Sequence, residues 1–128
     1  MDTVSVRYIV DDVEAAAAFY TGRLGFEVVF SPGPGFAMLA RGGLRLLLSE
    51  PKGPGGAAQP GADGRPPGPG GWNRIQIRVS DLAQKIAELE GAGARFRGEI
   101  ATGRGGRQIL VEDPSGNPVE LFEPFGGD

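Results

Sequence analysis

Apolar and polar residues alternate with a period of two from Val4 to Val10, which is typical of a β-strand with one buried face. The period then changes to that of an amphipathic helix, for which Asp11 or Asp12 supplies an N-cap and Gly25 a candidate C-cap. Three further strands are predicted over residues 26–30, 36–40 and 44–49, with a turn at Pro32-Gly33-Pro34-Gly35 between the first two. The first part of the chain therefore predicts the order βαβββ.

The pattern is interrupted from Pro51 to Gly71, where Gly, Pro and Ala dominate and a linker or long loop without regular structure is expected. It then restarts with a strand over 74–79 and a helix capped by Ser80 or Asp81. The remaining strands are predicted over 94–97, 108–112 and 118–122, with a loop at 101–106.

The two halves are an internal repeat. Asp12 matches Asp81 and Val10 matches Val79 at a constant offset of 69, and near the ends of the halves Pro51 matches Pro124. A repeat of this length predicts two similar modules that complete each other's core. We therefore expect an α+β fold with two tandem βαβββ modules in a single domain over 1–128: module one over 4–50, the linker over 51–71 and module two over 72–124.

The amino-acid composition limits the kinds of site and partner that the protein can have. The 128 residues contain no cysteine and no histidine, so thiolate metal sites and the commonest neutral-pH general base are absent. With 13 basic and 16 acidic residues the net charge is −3, which predicts no nucleic-acid or anionic-membrane partner. The chain has no apolar run long enough to span a bilayer and no leader pattern at Met1, so a soluble cytoplasmic protein is expected.

Glu120 is an acidic residue in an otherwise apolar predicted strand. Period-two alternation places Glu120 and Phe122 on one face and Val119 and Leu121 on the other. The local pattern alone favours a solvated face for such a glutamate.

Two motifs carry a family resemblance. The V-x-D-x-x-x-A-x-x-FY-x-x-x-LGF pattern from Val10 to Phe26, together with DPSGNPVELFEP ending at Pro124, resembles the vicinal oxygen chelate superfamily. That group includes glyoxalases, bleomycin resistance proteins, fosfomycin resistance enzymes and extradiol dioxygenases. The resemblance implies curved mixed sheets around a cleft, and a homodimer.

The resemblance also implies where a metal ion would be held. The four family ligand positions correspond here to Ser5, Leu47, Arg74 and Glu120, and only Glu120 is a ligand-type residue. No conventional divalent-metal centre and no cofactor are therefore expected. Arg74 is expected to occupy the metal's volume and to pair with Glu120.

Alternation predicts which other side chains share the faces of these former ligand positions. The candidate ligand-binding residues are Ser5, Arg7, Met38, Arg45, Leu47 and Ser49 in module one, and Trp72, Arg74, Gln76, Arg78, Glu120 and Phe122 in module two. Arg45 and Arg78 also fit solvated strand ends, and Trp72 fits either a cleft wall or a plug at the sheet edge. The segment 51–71 either spans the modules or covers the cleft when ligand binds.

The leading hypothesis is a metal-free binding protein of the bleomycin-resistance type, which sequesters a small aromatic or natural-product ligand in the clefts of a homodimer. The modest net charge suggests a neutral or aromatic ligand rather than a cationic drug. The alternative is a lyase, isomerase or dioxygenase that uses Glu120 as a metal ligand or as a general base with Arg74 steering an oxyanion. A third possibility is a domain that binds nothing.

Overall fold

The computed structural model describes residues 4–51 and 59–126. In chain order the elements are β1 Val4–Ile9, α1 Val13–Arg23, β2 Glu27–Gly33, β3 Phe36–Arg41, β4 Leu44–Ser49, β5 Ile75–Arg78, α2 Leu82–Gly91, β6 Arg95–Phe96, β7 Ala101–Thr102, β8 Gly106–Glu112 and β9 Pro118–Pro124. These elements form two compact units, residues 1–69 and 70–128. The α+β fold class is confirmed, with βαβββ order in the first unit.

Unit one is a four-stranded sheet in the order β1-β4-β3-β2, in which β1 runs parallel to β4 and the other pairs are antiparallel. Helix α1 covers one face of it. Tyr20 of the helix is fully buried and meets the rings of Tyr8 and Phe26 edge to face, with centroids 6.3 and 5.5 Å away. Burial of such large apolar groups is the main term that stabilises the unit. No helix among the described residues of this unit packs on the other face of the sheet, which we call the uncovered face.

Unit two repeats this plan with a sheet in the order β5-β9-β8-β6, to which β7 adds by pairing with β8. Ile75 and Ile77 of β5 and Val119 and Leu121 of β9 form the buried side. Leu82 and Leu89 of α2 are also buried in this unit. The opposite face carries the polar residues of β5 and β9.

The helices begin in the same way in both units. Asp12 and Asp81 are the N-caps, and their side chains accept hydrogen bonds from the backbone N–H groups of Ala15 and Gln84. Each cap satisfies a donor that the first helical turn leaves open. The predicted caps at Asp12 and Asp81 are therefore confirmed.

A second carboxylate supports each helix start. Glu50 accepts a hydrogen bond from the N–H of Val13 at 2.9 Å, and Glu123 accepts one from the N–H of Leu82 at 2.7 Å. Both glutamates lie at the end of the last strand of their module, where the repeat aligns them. The repeat therefore extends to the hydrogen bonds between strand and helix.

Two local predictions need correction. The predicted turn at 32–35 contracts to Pro34-Gly35, because β2 continues to Gly33 through register shifts between Phe30 and Gly33. Pro32 is tolerated there since β2 is an edge strand. The predicted loop over 101–106 contains the two-residue strand β7 and the first residue of β8.

Gly106 shows why β8 extends to this position. A Cβ at Gly106 would overlap the carbonyl oxygen of Glu123 on β9, so only glycine permits the close approach of the two backbones.

The described part of the predicted linker, residue 51 and residues 59–71, contains no helix or strand. Its end is tied to unit two, because the N–H of Gly70 donates to Oδ1 of Asn117 at 2.7 Å. Residues 52–58, on which the lid prediction partly rests, lie outside the described residues.

Candidate functional site

Glu120 lies on β9 with its side chain on the polar face of unit two. In register it stands between Gln76 of β5 and Leu110 of β8. The residue is only 8% exposed, so the carboxylate is largely removed from water. The solvated position that the local pattern favoured is therefore wrong, because β9 is an inner strand with neighbours on both sides.

Both oxygens of the Glu120 carboxylate have strong donors. The Arg74 guanidinium contacts Oε1 through Nε at 3.1 Å and Nη2 at 3.0 Å, and the Gln76 amide donates to Oε2 at 2.7 Å. A charge-assisted fork of this kind fixes the geometry of the carboxylate as well as its charge. The predicted pairing of Arg74 with Glu120 is confirmed, and Gln76 completes it.

The alternation of β5 positions this cluster. Ile75 and Ile77 point into the core, so Arg74, Gln76 and Arg78 point the other way. Phe122 pairs in register with Arg78, one step beyond Glu120. The structure therefore brings Arg74, Gln76 and Glu120 into direct contact and places Arg78 and Phe122 next to them on the same face.

The side chain of Trp72 does not contact Glu120, although the backbone carbonyl of Trp72 accepts from Nη1 of Arg74 at 3.3 Å. Its side chain is 66% exposed, and the guanidinium of Arg97 lies over its ring at 4.8 Å from the centroid. Arg97 is itself held by Glu112 at 2.8 Å and donates to the carbonyl oxygens of Gly71 and Gly116. In this unit Trp72 is thus an exposed ring stacked under a fixed cation, not a buried plug.

Arg97 had no signal in the sequence. Its partners are 15, 19 and 26 positions away along the chain, so neither periodicity nor a local motif connects them.

The uncovered face of unit one collects the predicted residues of module one. Register partners share a face, and they join Arg7 to Leu47, Leu47 to Met38, and Met38 to Phe30 in one row across the sheet. A neighbouring row joins Ser5 to Arg45, and another joins Ser49 to Phe36. All six candidate residues of module one therefore lie on this face.

The polar groups of this face differ in how they are held. Nη1 of Arg7 donates to Oγ of Ser49 at 2.7 Å, and Ser49 is 2% exposed. Arg45 turns toward the β3–β4 turn, where Nη1 donates to the carbonyl oxygens of Gly42 and Leu44. Neither arginine contacts a carboxylate among the described residues.

The sequence missed Phe30 and Phe36 as members of this face. Phe30 is 54% exposed, and its ring meets that of Phe36 edge to face with centroids 6.5 Å apart. For Phe30 the reason is the register shift between Val28 and Phe30, which breaks simple alternation along β2. Phe36 lies two residues from Met38 on β3, so alternation already places it on this face.

The four positions that the superfamily uses for a metal do not make a fitting donor set here. Leu47 has no donor atom, Arg74 is a permanent cation, and the one carboxylate, Glu120, is already engaged by Arg74 and Gln76. A divalent ion at Glu120 would have to displace a guanidinium at 3.0 Å. These residues therefore do not fit a divalent metal ion.

Unit one also has a cavity of about 570 Å³ on the opposite, helix-covered side of its sheet. It is lined by Asp12, Val13, Glu14, Ala17, Val28, Ser31, Gly33, Pro34, Gly35, Ala37 and Glu50. Two of its acids, Asp12 and Glu50, already accept hydrogen bonds from the first turn of α1. This depression was not predicted from the sequence.

This chain belongs to the glyoxalase/bleomycin resistance protein/dioxygenase superfamily, whose family profile matches residues 3–121. None of the curated proteins searched matches the chain. No helix among the described residues is long and apolar enough to cross a membrane.

Solved structures share the fold over nearly the whole chain. A member of the same superfamily from Sphaerobacter thermophilus DSM 20745 is 29% identical with a TM-score of 0.75, covering 96% of this chain and 97% of its own. Lactoylglutathione lyase from Agrobacterium tumefaciens is 22% identical with a TM-score of 0.73, covering 99% and 98%. TnmS3, an antibiotic binding protein from Streptomyces sp. CB03234, is 24% identical with a TM-score of 0.67, covering 97% and 96%.

Proposed function

We propose that this protein is a metal-free binding protein of the bleomycin-resistance type, which sequesters an aromatic or natural-product ligand in the clefts of a homodimer. The observation that carries the proposal is the occupation of both Glu120 oxygens by Arg74 and Gln76. At the one family position with a ligand-type residue, the chain supplies its own cation. The other side chains on the sheet faces are suited to binding an organic ligand rather than to holding a metal ion.

The available groups favour a flat ligand. Phe30 presents an exposed ring backed by Phe36, and Met38 and Leu47 lie beside it on the same face. Aromatic contacts of this kind contribute ~0.5–1.5 kcal/mol beyond the area that they bury. The polar groups around them fix orientation through hydrogen bonds.

Similarity to TnmS3, an antibiotic binding protein, supports a binding role on this fold. Similarity to lactoylglutathione lyase shows that the same fold also accompanies catalysis. The fold therefore does not choose between them, and the choice rests on the site.

The enzyme alternative requires Glu120 to act as a base or as a metal ligand. As a metal ligand, Glu120 would bring a divalent cation next to the permanent charge of Arg74, and as a base it would give up the negative charge that pairs with Arg74. Glu120 in this arrangement is a structural acceptor. The contacts of Glu120 therefore favour binding over catalysis.

The homodimer is part of the proposal and has one supporting feature. The edge strand β2 is exposed along its length, with Val28, Val29 and Phe30 each more than half exposed. Exposed apolar edge strands are usually covered by another chain or segment. Light scattering of the purified protein measures the assembly, and a monomer at all concentrations contradicts this part of the proposal.

The proposal is tested by thermal-shift screening against a panel of aromatic natural products that contains acidic, neutral and cationic members. A ligand present at about 100 times its Kd adds about 2.7 kcal/mol to the free energy of unfolding, which raises Tm by several degrees. No stabilisation by any member of the panel contradicts the proposed function.

Paired variants then locate the site of any compound that binds. Phe30→Ala removes a ring from the uncovered face of unit one, whereas Val28→Ala removes an equally exposed side chain from the helix-side cavity. We expect Phe30→Ala to weaken the stabilisation and Val28→Ala to leave it unchanged. The reverse result assigns the ligand to the cavity and contradicts binding on the sheet face.

A further inference from the structure

We infer that the ligand of unit one is an aromatic acid, and that Arg7 binds its ionised carboxylate while the row Leu47, Met38 and Phe30 holds its flat apolar body. This inference rests on the proposed small-molecule binding and adds the chemical class of the ligand. It differs from the neutral ligand that the net charge suggested, because the charge of the face differs from the charge of the chain.

The first support is that Arg7 has free hydrogen-bonding capacity. A guanidinium carries five N–H donors, and among the described residues only Ser49 accepts from Arg7, at 2.7 Å. The side chain reaches the face from the exposed edge strand β1. Arg7 is thus a cation that one hydrogen bond holds in place and whose other N–H groups are available to a ligand.

The second support is that no carboxylate in the described part of the chain forms an ion pair with Arg7. Its register partner is Leu47, whereas at the equivalent point of unit two Gln76 stands opposite Glu120. Glu27 is an acidic residue that its register partner, Ala40, places on the uncovered face of unit one. It lies on the far edge strand, β2. Three strand spacings, about 14 Å, separate the two edges, so Glu27 does not neutralise Arg7.

The third support is the orientation set by Ser49. Its hydroxyl is 2% exposed and accepts from Nη1 of Arg7, which draws the guanidinium along the sheet toward the row that contains Phe36. A hydroxyl leaves the positive charge intact, unlike a carboxylate in the same place. The face therefore combines an uncompensated cation with neighbouring apolar groups.

These features select an amphiphilic anion. A carboxylate accepts two parallel N–H bonds from an arginine fork, and a flat ring attached to it lies over Leu47 and Met38 toward the exposed Phe30. A cationic ligand would meet Arg7 as a like charge. A neutral ligand would leave the guanidinium without the acceptor that it can bind best.

The test uses a matched pair of probes, 2-naphthoate and its neutral amide 2-naphthamide, titrated into the protein and followed by NMR. Charge-assisted hydrogen bonds predict about tenfold or greater preference for the acid. Arg7→Gln should abolish the preference, and Arg7→Lys should retain part of it.

Arg104→Gln is the matched control. It removes the same charge from an exposed arginine outside this face for which no partner is found among the described residues, and it should leave the preference intact. Circular dichroism of each variant checks that the fold is retained.

Equal affinity for the two probes, a preference that survives Arg7→Gln, or binding of neither probe each overturns the inference. None of these results affects the proposed function, because an aromatic ligand without a carboxylate still satisfies it. If only neutral members of the natural-product panel stabilise the protein, the proposed binding function stands and the inference of an aromatic acid is contradicted.

Discussion

The two sheet faces of this protein arise from one repeated plan but treat charge in opposite ways. In unit two, Glu120 is present and is neutralised within the chain by Arg74, with Gln76 on its second oxygen. In unit one, the aligned position is Leu47, and within residues 4–51 and 59–126 the one side-chain hydrogen-bond partner of Arg7 is the hydroxyl of Ser49.

The difference teaches that equivalent positions in two copies of a repeat can treat charge differently. Unit two holds an acid and a cation that pair with each other. Unit one holds Leu47 in place of the acid, and Arg7 forms no ion pair with the described residues. The same plan therefore provides a closed polar cluster in unit two and, in unit one, the cationic face that we propose for ligand binding.

The largest expected effect comes from removing the carboxylate of the Glu120 cluster in unit two. Glu120→Ala removes the acceptor of Arg74 and Gln76, and we expect the free energy of unfolding to fall by about 2 kcal/mol. Arg74 is partly exposed and recovers some hydration, which keeps the loss below that of a fully buried pair. Urea denaturation measures the change.

Glu99→Ala is the control for this prediction, since Glu99 is exposed and no acceptor or donor contact to its side chain is found within residues 4–51 and 59–126. Its effect should lie within about 0.5 kcal/mol. Equal effects of the two substitutions would show that the Glu120 cluster does not stabilise unit two.

The next largest effect is expected when a carboxylate is introduced opposite Arg7 in unit one. Leu47→Glu places a carboxylate at the register partner of Arg7, and it imitates the arrangement of unit two. We expect about tenfold weaker binding of 2-naphthoate, because the new acid competes for Arg7 and repels the ligand. Leu47→Gln has a similar size without the charge and should retain the preference for the acid over the amide. Loss of that preference in both variants would assign the effect to shape.

A smaller effect is expected where the units are alike. Asp12→Ala and Asp81→Ala each remove an N-cap acceptor from the first turn of a helix and should each cost about 1 kcal/mol. Asn at either position keeps a capping oxygen and should restore most of the loss. Thermal unfolding monitored at 222 nm compares the variants, and a large effect at only one cap would contradict the equivalence of the two helix starts.

The smallest effect concerns a cation–π contact of unit two that has no counterpart among the described residues of unit one. Arg97→Lys keeps the charge but loses the guanidinium, whose Nε donates to Glu112 and which lies over the ring of Trp72. At an exposed ring the cation–π contribution is ~0.5–1 kcal/mol. Trp72 is the only tryptophan, so its fluorescence reports the change directly. An emission spectrum unchanged by the substitution would contradict the stacking.

Much of the fold was predictable because the repeat and the helix caps are local. The agreement of Asp12 with Asp81 fixed two helix starts, and both were found as N-caps. The pairing of Arg74 with Glu120 was also predictable, since the resemblance places the two residues at one site and their charges are opposite. The burial of Glu120 required the position of β9 between β5 and β8, which its own strand pattern does not contain.

The missed residues depend on long-range geometry. Phe30 reached the uncovered face through an irregularity of β2, and Arg97 joined partners distant in the chain. The lack of a charge partner at Arg7 was likewise visible only once register placed Leu47 opposite it. Whether the candidate residues bind ligand remains a prediction.

Metal analysis of the purified protein tests the central claim most directly. The wild type and Glu120→Ala are each equilibrated with excess Zn²⁺ or Mn²⁺, dialysed without chelator, and measured by inductively coupled plasma mass spectrometry. Because Arg74 and Gln76 occupy the carboxylate, we predict no stoichiometric metal in either protein. One equivalent of metal in the wild type that is lost in Glu120→Ala would contradict the account.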